Sequence, residues 1–167
     1  EHVLRLKVKH HLLVIEDRKF SDIGSIVQKQ LIQIKGWADI VTAHGIVGES
    51  MMKALDDLAI GLLPIHSLST SDNLIDTTYS CQVIDMAKRC KNVIGFITQE
   101  HVSDGYLNFS PGVNIHDTGD TMGQSYRTPE VMKANGTDVF IVGRGIYNSD
   151  NVVESAKLYR DRCFNLN

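Results

Sequence analysis

Leu12-Leu13-Val14-Ile15-Glu16-Asp17-Arg18-Lys19-Phe20-Ser21-Asp22-Ile23-Gly24 is the stretch on which the fold turns. A short apolar run passes directly into charged residues and then into helical spacing, the pattern of a buried parallel strand that delivers polar side chains at its carboxyl end. Outward from it, similar Val/Ile/Leu-rich runs predict strands at Leu12–Ile15, Asp39–Ala43, Leu62–Ile65, Val93–Ile97, Leu107–Phe109 and Val139–Val142. Between them, Ile23–Ile34, Gly48–Leu58, Tyr79–Cys90, Pro129–Ala134 and Val152–Arg162 read as helices, with Asp22, Thr128 and Asp150 or Asn151 available as N-caps. The class is α/β. No low-complexity linker divides residues 1–167, so one domain is expected. Length alone favours an open, doubly wound sheet, because a complete (β/α)8 barrel usually takes ~200 residues or more.

Composition narrows the function classes. The 167 residues include 17 Lys and Arg against 20 Asp and Glu, a formal net charge of -3. With no block of like charge, there is no basic footprint for nucleic acid or an anionic membrane surface. No apolar run reaches the ~18 residues that span a bilayer, and a cytoplasmic location is expected. Cys81, Cys90 and Cys163 lack C-x-x-C spacing and read as reduced thiols, and the seven His show no ligand spacing, so no metal is expected.

Polar residues just beyond strand ends are where parallel α/β folds place their chemistry. Strand alternation puts Asp17 and Lys19 on one side, with Asp22 at the start of the next helix. A carboxylate–ammonium–carboxylate series can hold a lysine charged and let it deliver a proton to a developing carbanion. The same residues also fit a solvated charge cluster that caps a helix. Further on, the strand ending Ile141-Val142 opens into Gly143-Arg144-Gly145, where backbone amides and a guanidinium fork suit a phosphate. A tight turn with a solvent-facing Arg fits it too. Ser110-Pro111-Gly112-Val113 and Gly123-Gln124-Ser125-Tyr126 make a second Gly-containing region late in the chain.

Together these segments resemble the orotidine 5'-phosphate decarboxylase family. Asp17–Gly24 is similar to its D-R-K-F-x-D-I-G signature, Trp37–His44 to its next strand, Ser110–Val113 to T-P-G-V, Gly123–Tyr126 to G-Q-Q-Y and Ile141–Gly145 to I-V-G-R-G, all in the family's order. The resemblance implies a (β/α)8 TIM barrel in place of the open sheet. Because the signature closes the family's third strand, it also implies that the first two βα units are lacking from this chain and that Glu1–Lys9 is the tail of the second helix.

The implied activity is decarboxylation of orotidine 5'-phosphate to UMP in pyrimidine biosynthesis, a carboxy-lyase reaction without metal or organic cofactor. In the implied roles, Lys19 protonates C6 of the pyrimidine, Asp17 faces the substrate carboxylate and positions Lys19, and Asp22 reaches into a partner's site in a homodimer. Ser69 would contact the pyrimidine, Pro111 would be a further substrate-binding residue, and Gln124, Tyr126, Gly143 and Arg144 would grip the phosphate. The upstream lysine of the family's Lys-Asp-Lys-Asp network would precede Glu1. The chain departs from the family pattern at Ile26 (threonine in the family), at Pro64 and Ser67 (alanine-glutamate stretch) and at Ser125 (glutamine). The alternative reading is an inactive remnant that binds a phosphate or nucleotide or only dimerises.

Overall fold

A computed structural model describes residues 1–116 and 123–164. The chain packs as two compact units, Glu1–His66 with Asp76–Phe96, and Ser67–Ile75 with Ile97–Asn167.

In the first unit α1 (His2–His10) leads to β1 (Ile15–Phe20), α2 (Gly24–Ile32), β2 (Ile40–His44), a 3-10 turn at Gly45–Val47, α3 (Glu49–Lys53), β3 (Gly61–Ile65), α4 (Thr77–Ala87) and β4 (Gly95–Ile97), at whose end the chain passes to the second unit. β1 pairs with β2 and β2 with β3, all parallel, in chain order. A doubly wound sheet would reverse its strand order at a switch point. The sequential order therefore corrects the length-based expectation of that topology.

The core of this unit follows from spacing. Val27, Leu31 and Ile34 recur at helical intervals and are buried, as are Val41, Ala43, Leu62, Leu63 and Ile65 on the strands. Each large side chain contributes roughly 1.5–3 kcal/mol by leaving water. Met51, Met52 and Leu55 are fully buried around α3, which is shorter than the expected Gly48–Leu58.

β1 shows the largest displacement from expectation. Its ladder runs from Ile15 to Phe20, through the charged residues, whereas Leu12 and Leu13 are exposed. The ladder can run through the charged residues because main-chain hydrogen bonds to β2 need no apolar side chain. Val14 O already accepts the amides of Asp39 and Ile40. Asp22 stands one residue ahead of the observed N-cap of α2, Ile23, whose amide donates to Asp22 Oδ1 at 2.7 Å. Pro64 lies inside β3 and is buried, opposite Ala43 of β2. Leu62 N–H donates outward to Asn92 O, and parallel strands alternate their donors. Pro64 thus lacks its N–H on the edge away from β2, which leaves the β2–β3 pairing whole.

The second unit holds β5 (Leu107–Ser110), α5 (Pro129–Ala134), β6 (Val139–Phe140), α6 (Arg144–Tyr147) and α7 (Val152–Phe164). β5 and β6 are parallel, and Thr98 N–H donates to Phe109 O. Thr128 caps α5 by accepting from Val131 N–H, with Pro129 at the first turn, and Asn151 Oδ1 accepts from Glu154 N–H at 3.2 Å. Its core gathers Val113, Met132 and Tyr159 with Ile115, Phe140, Val142 and Ile146 around them. β6 ends two residues before the expected Val142, and α6 was not legible as a helix. No helix among the described residues is long and apolar enough to cross a membrane.

α1 is anchored by one ion pair, Lys7 Nζ to Asp39 Oδ1 at 2.6 Å, while Asp39 Oδ2 accepts Val14 N–H at 2.8 Å. These bonds, led by Lys7, hold the Asp39 carboxyl below its ordinary 3.8. Its stabilising contribution is complete above that value and is lost as the pH falls through the lowered one. Urea unfolding at about pH 6 and about pH 3 should show a smaller acid loss in Asp39→Asn than in the parent. Equal losses would remove Asp39 from this role.

Candidate active site

Two clusters of the expected residues form, one in each unit. In the first, Glu16 of β1 stands opposite Val41 of β2 and Phe20 opposite Ala43, so Asp17, Arg18 and Lys19 together face the single residue Thr42. The register accommodates them by a bulge in which Lys19 adopts a left-handed backbone, φ 54°. For a lysine this conformation costs about 1–2 kcal/mol, and it persists only where surrounding contacts impose it.

Those contacts converge on Thr42, a buried residue with 1% of its surface exposed. Its Oγ1 accepts Lys19 N–H at 3.0 Å and donates to Asp17 Oδ1 at 2.8 Å. Asp17 Oδ2 meets Lys19 Nζ at 2.6 Å. The side chains of Lys19 and Asp17 are 39% and 55% exposed, so the ion pair alone is worth only about 0–1 kcal/mol. Its value is directional, since an ammonium held by one carboxylate edge presents its remaining protons outward. Arg18 turns away, pairing with Glu16 at 3.0 Å and lying 5.8 Å from the Phe20 ring centre. Asp22 is exposed at the turn beyond, occupied with Ile23 N–H, and makes no hydrogen bond to the Asp17–Lys19 pair.

The second cluster gathers the late loops. Ser125 N–H donates to Ser69 O at 2.8 Å and Ser71 N–H to Gly123 O at 3.1 Å, which ties the segment after β3 to Gly123–Tyr126. Gln124 Nε2 donates to Ser69 O and Ser125 O. Pro111 leads into Gly112, at φ 79°, where a Cβ would lie 2.8 Å from Ser125 O and 2.9 Å from Gln124 Nε2, so only glycine lets these loops meet. The Arg144 guanidinium carbon lies 5.5 Å over the Tyr126 ring centre, a cation–π contact that orients the fork. Gly143 is the exposed N-cap of α6. Gly145 has a different reason, because a Cβ there would overlap the Tyr159 hydroxyl.

Ser67, where the sequence resemblance leads one to expect a glutamate, is bonded to the turn after β4. Its Oγ accepts Gln99 N–H at 2.9 Å and lies 3.3 Å from Thr98 Oγ1. Among the described residues no group of three or more His, Cys, Asp or Glu is placed to hold a metal. The three cysteines are free thiols, and burial, ahead of the nearby Glu130 charge, pushes Cys163 up to about 11.

Sequence reasoning gave no role to Thr42 or His44. A hydroxyl within the buried run Ile40–Ala43 was the available signal for the first. His44 ends β2, half-buried, and burial followed by the Lys19 charge lowers its imidazole from 6.5. Lys19→Met should raise the His44 midpoint part of the way back, followed by NMR of the imidazole protons, because burial remains. An unchanged midpoint would contradict the placement of the ammonium toward His44.

A family model described as the orotidine 5'-phosphate decarboxylase / HUMPS family matches residues 1–159. An orotidine 5'-phosphate decarboxylase of Mucor circinelloides f. lusitanicus is 41% identical over 171 residues, covering 93% of this chain and 64% of that protein. A uridine 5'-monophosphate synthase of Bos taurus is 39% identical over 93% of this chain and 35% of its own length. The chain thus spans under two thirds of the length of either. The crystal structure of orotidine 5'-monophosphate decarboxylase from Metallosphaera sedula superposes with a TM-score of 0.71 at 22% identity, over 90% of this chain and 73% of that one, which supports a common fold. With the signature on β1 and the Gly-containing loops ordered as described, the chain belongs to the orotidine 5'-phosphate decarboxylase / HUMPS family.

Proposed function

We propose that the protein decarboxylates orotidine 5'-phosphate to UMP. The observation that carries this reading is the Asp17–Lys19 pair, 2.6 Å apart at the end of β1 in a chain of this family. In the reaction the C6–carboxylate bond breaks, CO2 leaves, and the electron pair stays on C6, where the Lys19 ammonium supplies the proton. Asp17 orients that ammonium and faces the departing carboxylate, in a site whose fixed charges favour the transition state. Ser69 serves the pyrimidine, with Pro111 as a further substrate-binding residue.

Arg144, with Tyr126, Gln124 and Gly143, serves the phosphate, a non-reacting group whose binding energy can be used at the transition state. Asp22, exposed and hydrogen-bonded to Ile23 N–H rather than to its own Asp17–Lys19 pair, suits a role in a partner subunit's site, and a homodimer is proposed on that ground. The six strands would be the third to eighth of a (β/α)8 barrel forming one decarboxylase domain, acting in the cytoplasm without metal or organic cofactor. Consistent with that correspondence, Lys7 pairs with Asp39 at the amino end of β2, the end away from Lys19, so it does not stand in for the network's upstream lysine.

The natural protein should consume orotidine 5'-phosphate with loss of its absorbance and release of CO2, and Arg144→Ala should weaken UMP binding by about 1.5–3 kcal/mol in titration calorimetry. Tight UMP binding without CO2 release would favour the nucleotide-binding alternative. Unchanged UMP affinity in Arg144→Ala would overturn the phosphate assignment.

A further inference from the structure

The hydroxyl of Thr42 bonds to both members of the Asp17–Lys19 pair. It has one proton, given to Asp17 Oδ1 at 2.8 Å, and a lone pair that receives Lys19 N–H at 3.0 Å. With Asp17 Oδ2 on Lys19 Nζ at 2.6 Å, a closed circuit runs from the lysine backbone through threonine and aspartate back to the lysine ammonium. Thr42 is 1% exposed on a strand paired on both sides, so its own position is fixed by the sheet. Asp17 and Lys19 sit instead on a partly exposed bulge with a left-handed lysine. The rigid partner in this circuit is therefore the threonine.

We propose that Thr42 is a positioning residue for the proton donor: it imposes the left-handed turn at Lys19 and aims Asp17, and through Asp17 the ammonium, at the reacting carbon. The role in turnover rests on the decarboxylase reading above. The hold on Lys19 does not. Without the hydroxyl, Lys19 N–H loses its acceptor, the bulge relaxes, and one carboxylate oxygen is free to swing away.

Thr42→Val removes the hydroxyl at nearly constant shape, and Thr42→Ser keeps it. In Thr42→Val the Lys19 amide should exchange with solvent at least about tenfold faster by NMR. Orotidine 5'-phosphate kcat should fall by about 10²-fold while UMP affinity stays within about twofold. Thr42→Ser should bring exchange and kcat back close to the parent values, a rescue that a purely packing role would not give. Thr42→Ala repeats the comparison if valine unfolds the chain.

Unchanged Lys19 exchange in both hydroxyl-free variants would overturn the proposal outright. Faster exchange with unchanged kcat would overturn the role in the reaction. Faster exchange in a protein whose parent releases no CO2 would support the hold on Lys19 and overturn the decarboxylase reading instead.

Discussion

Three residues of one strand facing a single threonine of the next is the constraint from which the chemistry of this protein follows. The β1–β2 ladder is regular up to Glu16 and resumes at Phe20, and both ends are fixed by buried neighbours, Val41 and Ala43. The intervening Asp17–Lys19 segment must bulge. A bulge at the carboxyl end of a strand bends the backbone and re-aims its side chains. Here the carboxylate of Asp17 meets the ammonium of Lys19, and Arg18 pairs with Glu16. The strain of a left-handed lysine is offset by the hydrogen bond from its amide to Thr42.

The late loops obey a different constraint, close approach of backbones. Gly112 admits Gln124 and Ser125 beside the segment after β3, and Gly145 admits the Tyr159 ring. One glycine therefore permits a meeting of loops and the other a packing contact. The Arg144 guanidinium rests on the Tyr126 ring, a contact that orients it. The Ser67 hydroxyl finds partners in Gln99 N–H and Thr98, at a position where the sequence resemblance leads one to expect a charged glutamate.

Much of this was legible in the sequence, for physical reasons. Buried parallel strands are continuous Val/Ile/Leu runs, so β2 and β3 fell within a residue of expectation, and Pro129 with Thr128 marked the start of α5. β1 was misplaced because its ladder runs through charged residues, which composition reads as loop. The sequential strand order was hidden from length and became readable only through motifs whose order matched a family. Asp17 and Lys19 were found by alternation, whereas the bulge in which they sit was not foreseen. Thr42 was missed because a threonine in an apolar strand is a common residue, and its significance depends on a register that no local pattern reveals. α6 is a single turn and carries too little periodicity to be read.

The central claim is that Lys19, held by Asp17, delivers the proton that replaces the carboxylate. The most direct measurement compares orotidine 5'-phosphate turnover and UMP affinity in the natural protein and in Lys19→Ala. The account predicts that kcat collapses while most of the phosphate-driven affinity remains, the pattern of a group that acts at the transition state. Turnover in Lys19→Ala close to that of the parent would contradict it.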